Sequence, residues 1–134
     1  MFTKSVLTQS EVLKIIAAAS AEAKANNWAV SIAVCDDGGH LLGMSRLDHA
    51  APISSHICQA KAKTAALGRR ESKVYEDLIN GGRTSFLSAP ILEGMLEGGV
   101  PILVDGQVIA AVGVSGVKST EDVQIAKAGI AALG

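Results

Sequence analysis

The amino-acid sequence predicts an α+β domain built on an antiparallel sheet. Three observations carry that prediction. Asp105-Gly106 separates two apolar runs, and a two-residue Asp-Gly link joins its strands antiparallel because both turn positions favour positive φ. Asp36-Asp37-Gly38-Gly39 marks a second tight turn, between the runs 28–35 and 40–46. Stretches with helical spacing of apolar residues lie before, between and after these hairpins. That alternation argues against a doubly wound parallel sheet.

The first helix is expected over 9–26. Thr8-Gln9-Ser10-Glu11 reads as a capping box, and Val12, Ile15, Ile16, Ala19 and Ala23 recur on one face behind it. In WAVSIAVC, bulky residues (Trp28, Val30, Ile32, Val34) alternate with small ones (Ala29, Ser31, Ala33, Cys35). The strand so formed has a bulky face and a thin one, and the thin face admits close approach of a helix or another subunit. Residues 40–46 return as its partner.

Ser54 is placed as the N-cap of a helix over 54–68, striped by Ile53, Ile57, Ala60, Thr64 and Leu67 and kept slim by its alanines. A shorter helix is expected over 71–80, ending at Gly81-Gly82, and a short strand within 83–96. The runs 100–104 and 107–116 flank the Asp-Gly turn. Ser119 is then expected to cap a last helix over 120–133 that carries Val123, Ala126, Ile130 and Leu133 on one face. With no linker or repeat in view, residues 1–134 are read as one domain.

Composition narrows the function classes. Apolar residues make up 49% of the chain and mean hydropathy is +0.34. No run approaches the roughly 20 apolar residues of a membrane span. The apolar excess is therefore expected at subunit contacts, making the protein a homo-oligomer with no membrane partner. A net charge of −1 and four aromatics provide neither a basic footprint nor a stacking platform for nucleic acid. Without a cationic start and apolar h-region, a cytoplasmic location is expected, and Cys35 and Cys58 are read as free packing thiols.

Few residues read as chemistry. Gly113-Val114-Ser115-Gly116 precedes a helix, but Glu121 and Asp122 in that helix's first turn would repel a phosphate. The stretch RLDHAAPISSH, Arg46 to His56, instead places two of three histidines beside an Arg and an Asp. Arg46 and Asp48 could form a structural ion pair, and Asp48 could cap the turn or fix a histidine tautomer.

The pieces AVCDDGGHLLGMSRLDHA, IxxAKAKTAA from Ile57, EGGVPILVDGQVIAAVGVSG and EDVQIAKAG resemble, in that order, the GlcG/HbpS-like family. That family is named after a glycolate-operon protein and a secreted haem-binding protein. It also includes the C-terminal domain of a corrinoid adenosyltransferase. The matching motif positions are Asp37, Gly38, Arg46, Asp48, Lys61, Gly98, Gly99, Pro101, Gly113, Ser115, Gly116 and Asp122. His49 departs, standing where family members often carry a small residue such as Gly. The resemblance implies a profilin-like fold with a five-stranded antiparallel sheet and helices packed on both faces. It also implies homo-oligomers, often octamers, and haem or tetrapyrrole binding in some members.

Arg46, Asp48, His49 and His56 are then expected to line a pocket between the second strand and the following helix. In a haem-binding accessory protein beside small-acid or diol catabolism, His49 or His56 would ligate the iron while Arg46 and Lys61 pair with propionates. The alternative is an enzyme acting on a small carboxylic metabolite, with Arg46 or Lys61 holding the carboxylate and His49 as general base.

Overall fold

The computed structural model describes residues 1–134. Helix α1 (Gln9–Ala25) leads into strands β1 (Ser31–Asp36) and β2 (Leu41–Arg46), followed by helices α2 (Ile53–Gly68) and α3 (Lys73–Asn80). A 3-10 turn at Thr84–Ser88, strands β3 (Gly99–Val104) and β4 (Gln107–Ser115), and helix α4 (Ser119–Ala131) complete the chain.

Both predicted hairpins form and join into one sheet. β1 pairs antiparallel with β2 and with β4, bringing Ser31 opposite Arg46 on one side and Ser115 on the other. β3 pairs antiparallel with β4, giving the order β2-β1-β4-β3. The sheet has four strands, not five. The short strand expected within 83–96 is absent: that segment holds the 3-10 turn and irregular backbone. It lacks period-two alternation and contains Pro90. Its Gly94 also packs against α2 so closely that a Cβ there would lie 2.5 Å from the Ala60 carbonyl oxygen.

Helices cover both faces, sorted by side-chain size. Ile32, Val34, Val112 and Val114 meet Val12, Ile15 and Ala19 of α1 and Ile125 and Ala126 of α4 in the larger core. On the thin face Ala33, Cys35 and Ala111 pack against Cys58, Ala62, Ala65 and Ala66 of α2. Gly113 allows that close crossing, since a Cβ on it would run into the Cys58 carbonyl and lie 2.5 Å from the Ala62 nitrogen. α2 lies over β1, β4 and β3 and barely reaches β2. The edge strand therefore leaves Leu41, Leu42 and Met44 exposed.

Capping follows the sequence in part. The Thr8 hydroxyl accepts from the Glu11 amide at 3.2 Å while Glu11 accepts from the Thr8 amide at 2.9 Å, as the capping box requires. Ser54 is not the N-cap of α2; Pro52 holds that position, and the Ser54 hydroxyl is bonded to Ser31 at 2.8 Å and to the Ala51 carbonyl. Ser119 likewise lies inside α4, with Lys118 at the cap and its amide donating to Glu121 at 3.2 Å. α3 starts two residues later than expected, because the Ser72 hydroxyl accepts from the Gly99 amide at 2.8 Å and ties that helix start to β3. No helix is long and apolar enough to cross a membrane.

Candidate functional site

The loop after β2 is tightly held. The Leu47 amide donates to the Val30 carbonyl at 2.9 Å, extending the β1–β2 pairing beyond the sheet. The Ala50 amide reaches back to the Leu47 carbonyl at 3.2 Å, and Arg46 Nε donates to the Ala50 carbonyl at 3.2 Å. Ala50 is buried beneath. Between these anchors His49 adopts φ +71°, a left-handed conformation that costs glycine nothing. A glycine would therefore suit this position, and this chain puts an imidazole there instead.

Across from the loop, α1 unwinds. Asn27 is left-handed as well, at φ +59°, and the Trp28 amide returns to the Ala23 carbonyl at 2.9 Å. β1 pairing begins only at Ser31, so Trp28 and Ala29 belong to this approach rather than to the expected strand. A cleft of about 380 Å³ lies between the two segments, within the range of small-ligand sites. Its lining includes Lys24, Asn27, Trp28, Leu47, Asp48 and His49. Trp28 and Leu47 rest partly on the core; Lys24, Asp48 and His49 are exposed.

The expected site residues separate into four groups. Asp48 and His49 line the cleft. Arg46 braces the loop, its guanidinium exposed and free of any ion pair with Asp48. His56 is exposed on α2 and does not line the cleft, which opens toward the end of α1 rather than between β2 and α2.

Lys61 lies elsewhere, in the interior. Its ammonium bonds Asp122 at 3.1 Å and the Val114 carbonyl at 3.0 Å, and both charged side chains are almost fully buried. Burial pushes the Asp122 carboxyl up to about 6 against the opposing pull of the Lys61 ammonium.

Lys24, Asn27 and Trp28 were missed by sequence reasoning. The available signal was the chain's single tryptophan directly after Asn26-Asn27, because Asn tolerates left-handed backbone and often ends a helix.

The donors present suit some ligands and exclude others. Burial pushes both thiols up to about 12, which leaves Cys35 and Cys58 poor nucleophiles and poor metal ligands. No group of three or more His, Cys, Asp or Glu residues could hold a bare metal ion. Haem iron asks less of a protein, since the macrocycle supplies four ligands and an axial imidazole suffices. The cleft offers that imidazole at His49, apolar surface at Trp28 and Leu47, and a cation at Lys24. Such a group fits. A second cleft of about 250 Å³, between α3 and the segment after the 3-10 turn, combines Ile79, Leu87, Met95 and Leu96 with Glu76 and Glu93. It has no imidazole and no cation.

These features define a class: a small α+β domain, one sheet clad on both faces, with an open imidazole-bearing cleft where α1 and β2 end. The chain belongs to the HbpS-like family, whose model, described as haem degrading protein HbpS-like, matches residues 7–131. It is 62% identical over 115 residues to protein GlcG of Escherichia coli strain K12, covering 86% of this chain and 85% of GlcG. A 15.0 kDa uncharacterized protein from the dhaT-dhaS intergenic region of Citrobacter freundii is 33% identical, covering 84% of this chain and 81% of the relative.

Among solved structures, a doubly mutated HbpS of Streptomyces reticuli superposes with TM-score 0.89 at 30% identity, covering 100% of this chain and 91% of that one. The PduOC:haem complex superposes with TM-score 0.83 at 26% identity, covering 96% and 95%.

Proposed function

We propose that the protein is a non-enzymatic accessory protein that binds haem or a related tetrapyrrole in the cleft between Trp28 and His49. The domain, read as residues 1–134, would act as a cytoplasmic homo-oligomer beside small-acid or diol catabolism. The similarity to HbpS and to a PduOC:haem complex supports the ligand class. The single observation that carries the reading is the exposed His49 imidazole, held at φ +71° by a pinned loop opposite the only tryptophan.

When bound, haem would supply an iron that accepts a nitrogen ligand from the protein. His49 in its neutral form would ligate that iron, and Arg46, exposed at the loop's edge, would pair with a propionate. His56 does not line this cleft, so ligation is assigned to His49 alone. Oligomer formation is supported by the free β2 edge and its exposed Leu41, Leu42 and Met44.

The enzymatic alternative loses support at Lys61. That ammonium is committed to Asp122 and Val114 inside the fold, so it cannot hold a substrate carboxylate near His49 as the alternative requires. Hemin titrations followed by absorbance test the choice. Wild type and His56→Ala should bind alike, and His49→Ala should bind at least tenfold more weakly with an altered spectrum. Identical curves and spectra for all three would refute ligation by His49.

A further inference from the structure

We propose that Trp28 and Lys24 form a recognition wall for a flat, largely apolar ring acid: Trp28 supports the ring face and Lys24 binds a carboxylate. This inference takes the ring's identity from the tetrapyrrole reading, but its geometry stands on this chain's own residues.

Each residue has an ordinary structural explanation, and each explanation leaves something over. Trp28 packs partly against the main core, yet its ring also lines the cleft. A tryptophan left half-open in a concavity presents a large apolar face at little entropic cost, which suits stacking against another ring system. Lys24 lies in the last turn of α1, where a cation is favoured by the helix dipole. None of the six ion pairs includes it, although Asp48 lines the same cleft. Its exposed ammonium is thus available to an incoming anion.

The backbone supplies a second, independent observation. Only five non-glycine residues have positive φ, and two of them, Asn27 and His49, line this cleft from opposite sides. The left-handed Asn27 turns the chain out of α1 and delivers Trp28 to one side; the left-handed His49 delivers its imidazole to the other. Asn and His are among the non-glycine residues that take this conformation most readily, so both bends form at little cost. Here both deviations serve the same cavity. An ammonium–carboxylate contact contributes more than a neutral hydrogen bond, so its loss should weaken binding about tenfold.

Metal-free protoporphyrin IX is the deciding probe, because without iron His49 ligation plays no part. Its binding can be followed by quenching of Trp28 emission, the chain having one tryptophan, and by its own absorbance. Lys24 is exposed, so its variants should fold as wild type does, with coincident thermal melts as the control. We expect protoporphyrin IX to quench Trp28, Lys24→Met to weaken binding about tenfold, and Lys24→Arg to restore most of it.

If hemin binds in a His49-dependent way while Lys24→Met leaves both probes unchanged, this inference is overturned and the haem reading stands. If protoporphyrin IX binding depends on Lys24 while His49→Ala leaves hemin affinity unchanged, the wall is supported and iron ligation fails. Failure of wild type to bind either probe overturns both.

Discussion

Lys61 of α2 and Asp122 of α4 meet at 3.1 Å although their helices cover opposite faces of the sheet. The contact passes around the end of β4, where Lys61 also bonds the Val114 carbonyl and Asp122 accepts from the Val117 amide at 3.4 Å. One buried pair therefore ties the two layers together directly.

Removing one partner should be costly. Lys61→Met leaves a buried carboxylate without its cation and should destabilise the fold by about 3–5 kcal/mol. The double variant Lys61→Met/Asp122→Leu, which removes both charges, should recover most of that loss. Urea unfolding of the three proteins measures both; a single-variant loss near zero would show that the pair contributes nothing to layer docking.

The same pair gives a pH dependence with a defined sign. The Asp122 carboxyl titrates at about 6 when folded against an ordinary 3.8, because burial disfavours its charged form. The folded state thus holds this proton more tightly than the unfolded state. The associated stability is present in full below 3.8 and is lost as pH rises through about 6. Relative to Asp122→Asn, wild type should lose stability across that interval. Parallel stability–pH curves for the two proteins would contradict it.

Gly113 sets how close α2 comes to the sheet. Gly113→Ala places a methyl group against the Cys58 carbonyl, backbone that cannot swing away, and should cost about 3 kcal/mol. A thermal melt within a degree of wild type would show that α2 can lift off without penalty.

The apolar edge of β2 should be covered in solution. Light scattering at micromolar concentration should return a multiple of 13.7 kDa. A mass near that of one chain would remove subunit contact as the reason for exposed Leu41, Leu42 and Met44.

Local signals in the sequence translated well into structure. The Thr8–Glu11 box starts α1, the Asp-Gly turn makes the β3–β4 hairpin, and the bulky and thin faces of β1 receive different helices. What failed depended on distant partners. Ser54 has the chemistry of an N-cap, but a serine 23 residues earlier takes its hydroxyl. Lys61 resembles a surface cation on a helix, yet its carboxylate is 61 residues away. The fifth strand, expected within 83–96 and implied also by the family resemblance, had no alternating run of residues behind it. At the site, RLDHA pointed to one wall, His49 and Asp48. The other wall is made by a helix end whose meaning emerges only when Leu47 pairs with Val30.

Chemical rescue tests the central claim, that His49 presents an iron-ligating nitrogen in this cleft, most directly. Hemin bound to wild type should show the absorption spectrum of an imidazole-ligated haem. His49→Ala should lose that spectrum, and added free imidazole should restore it with the affinity partly recovered. A His49→Ala protein whose hemin spectrum and affinity match wild type without imidazole would contradict the account.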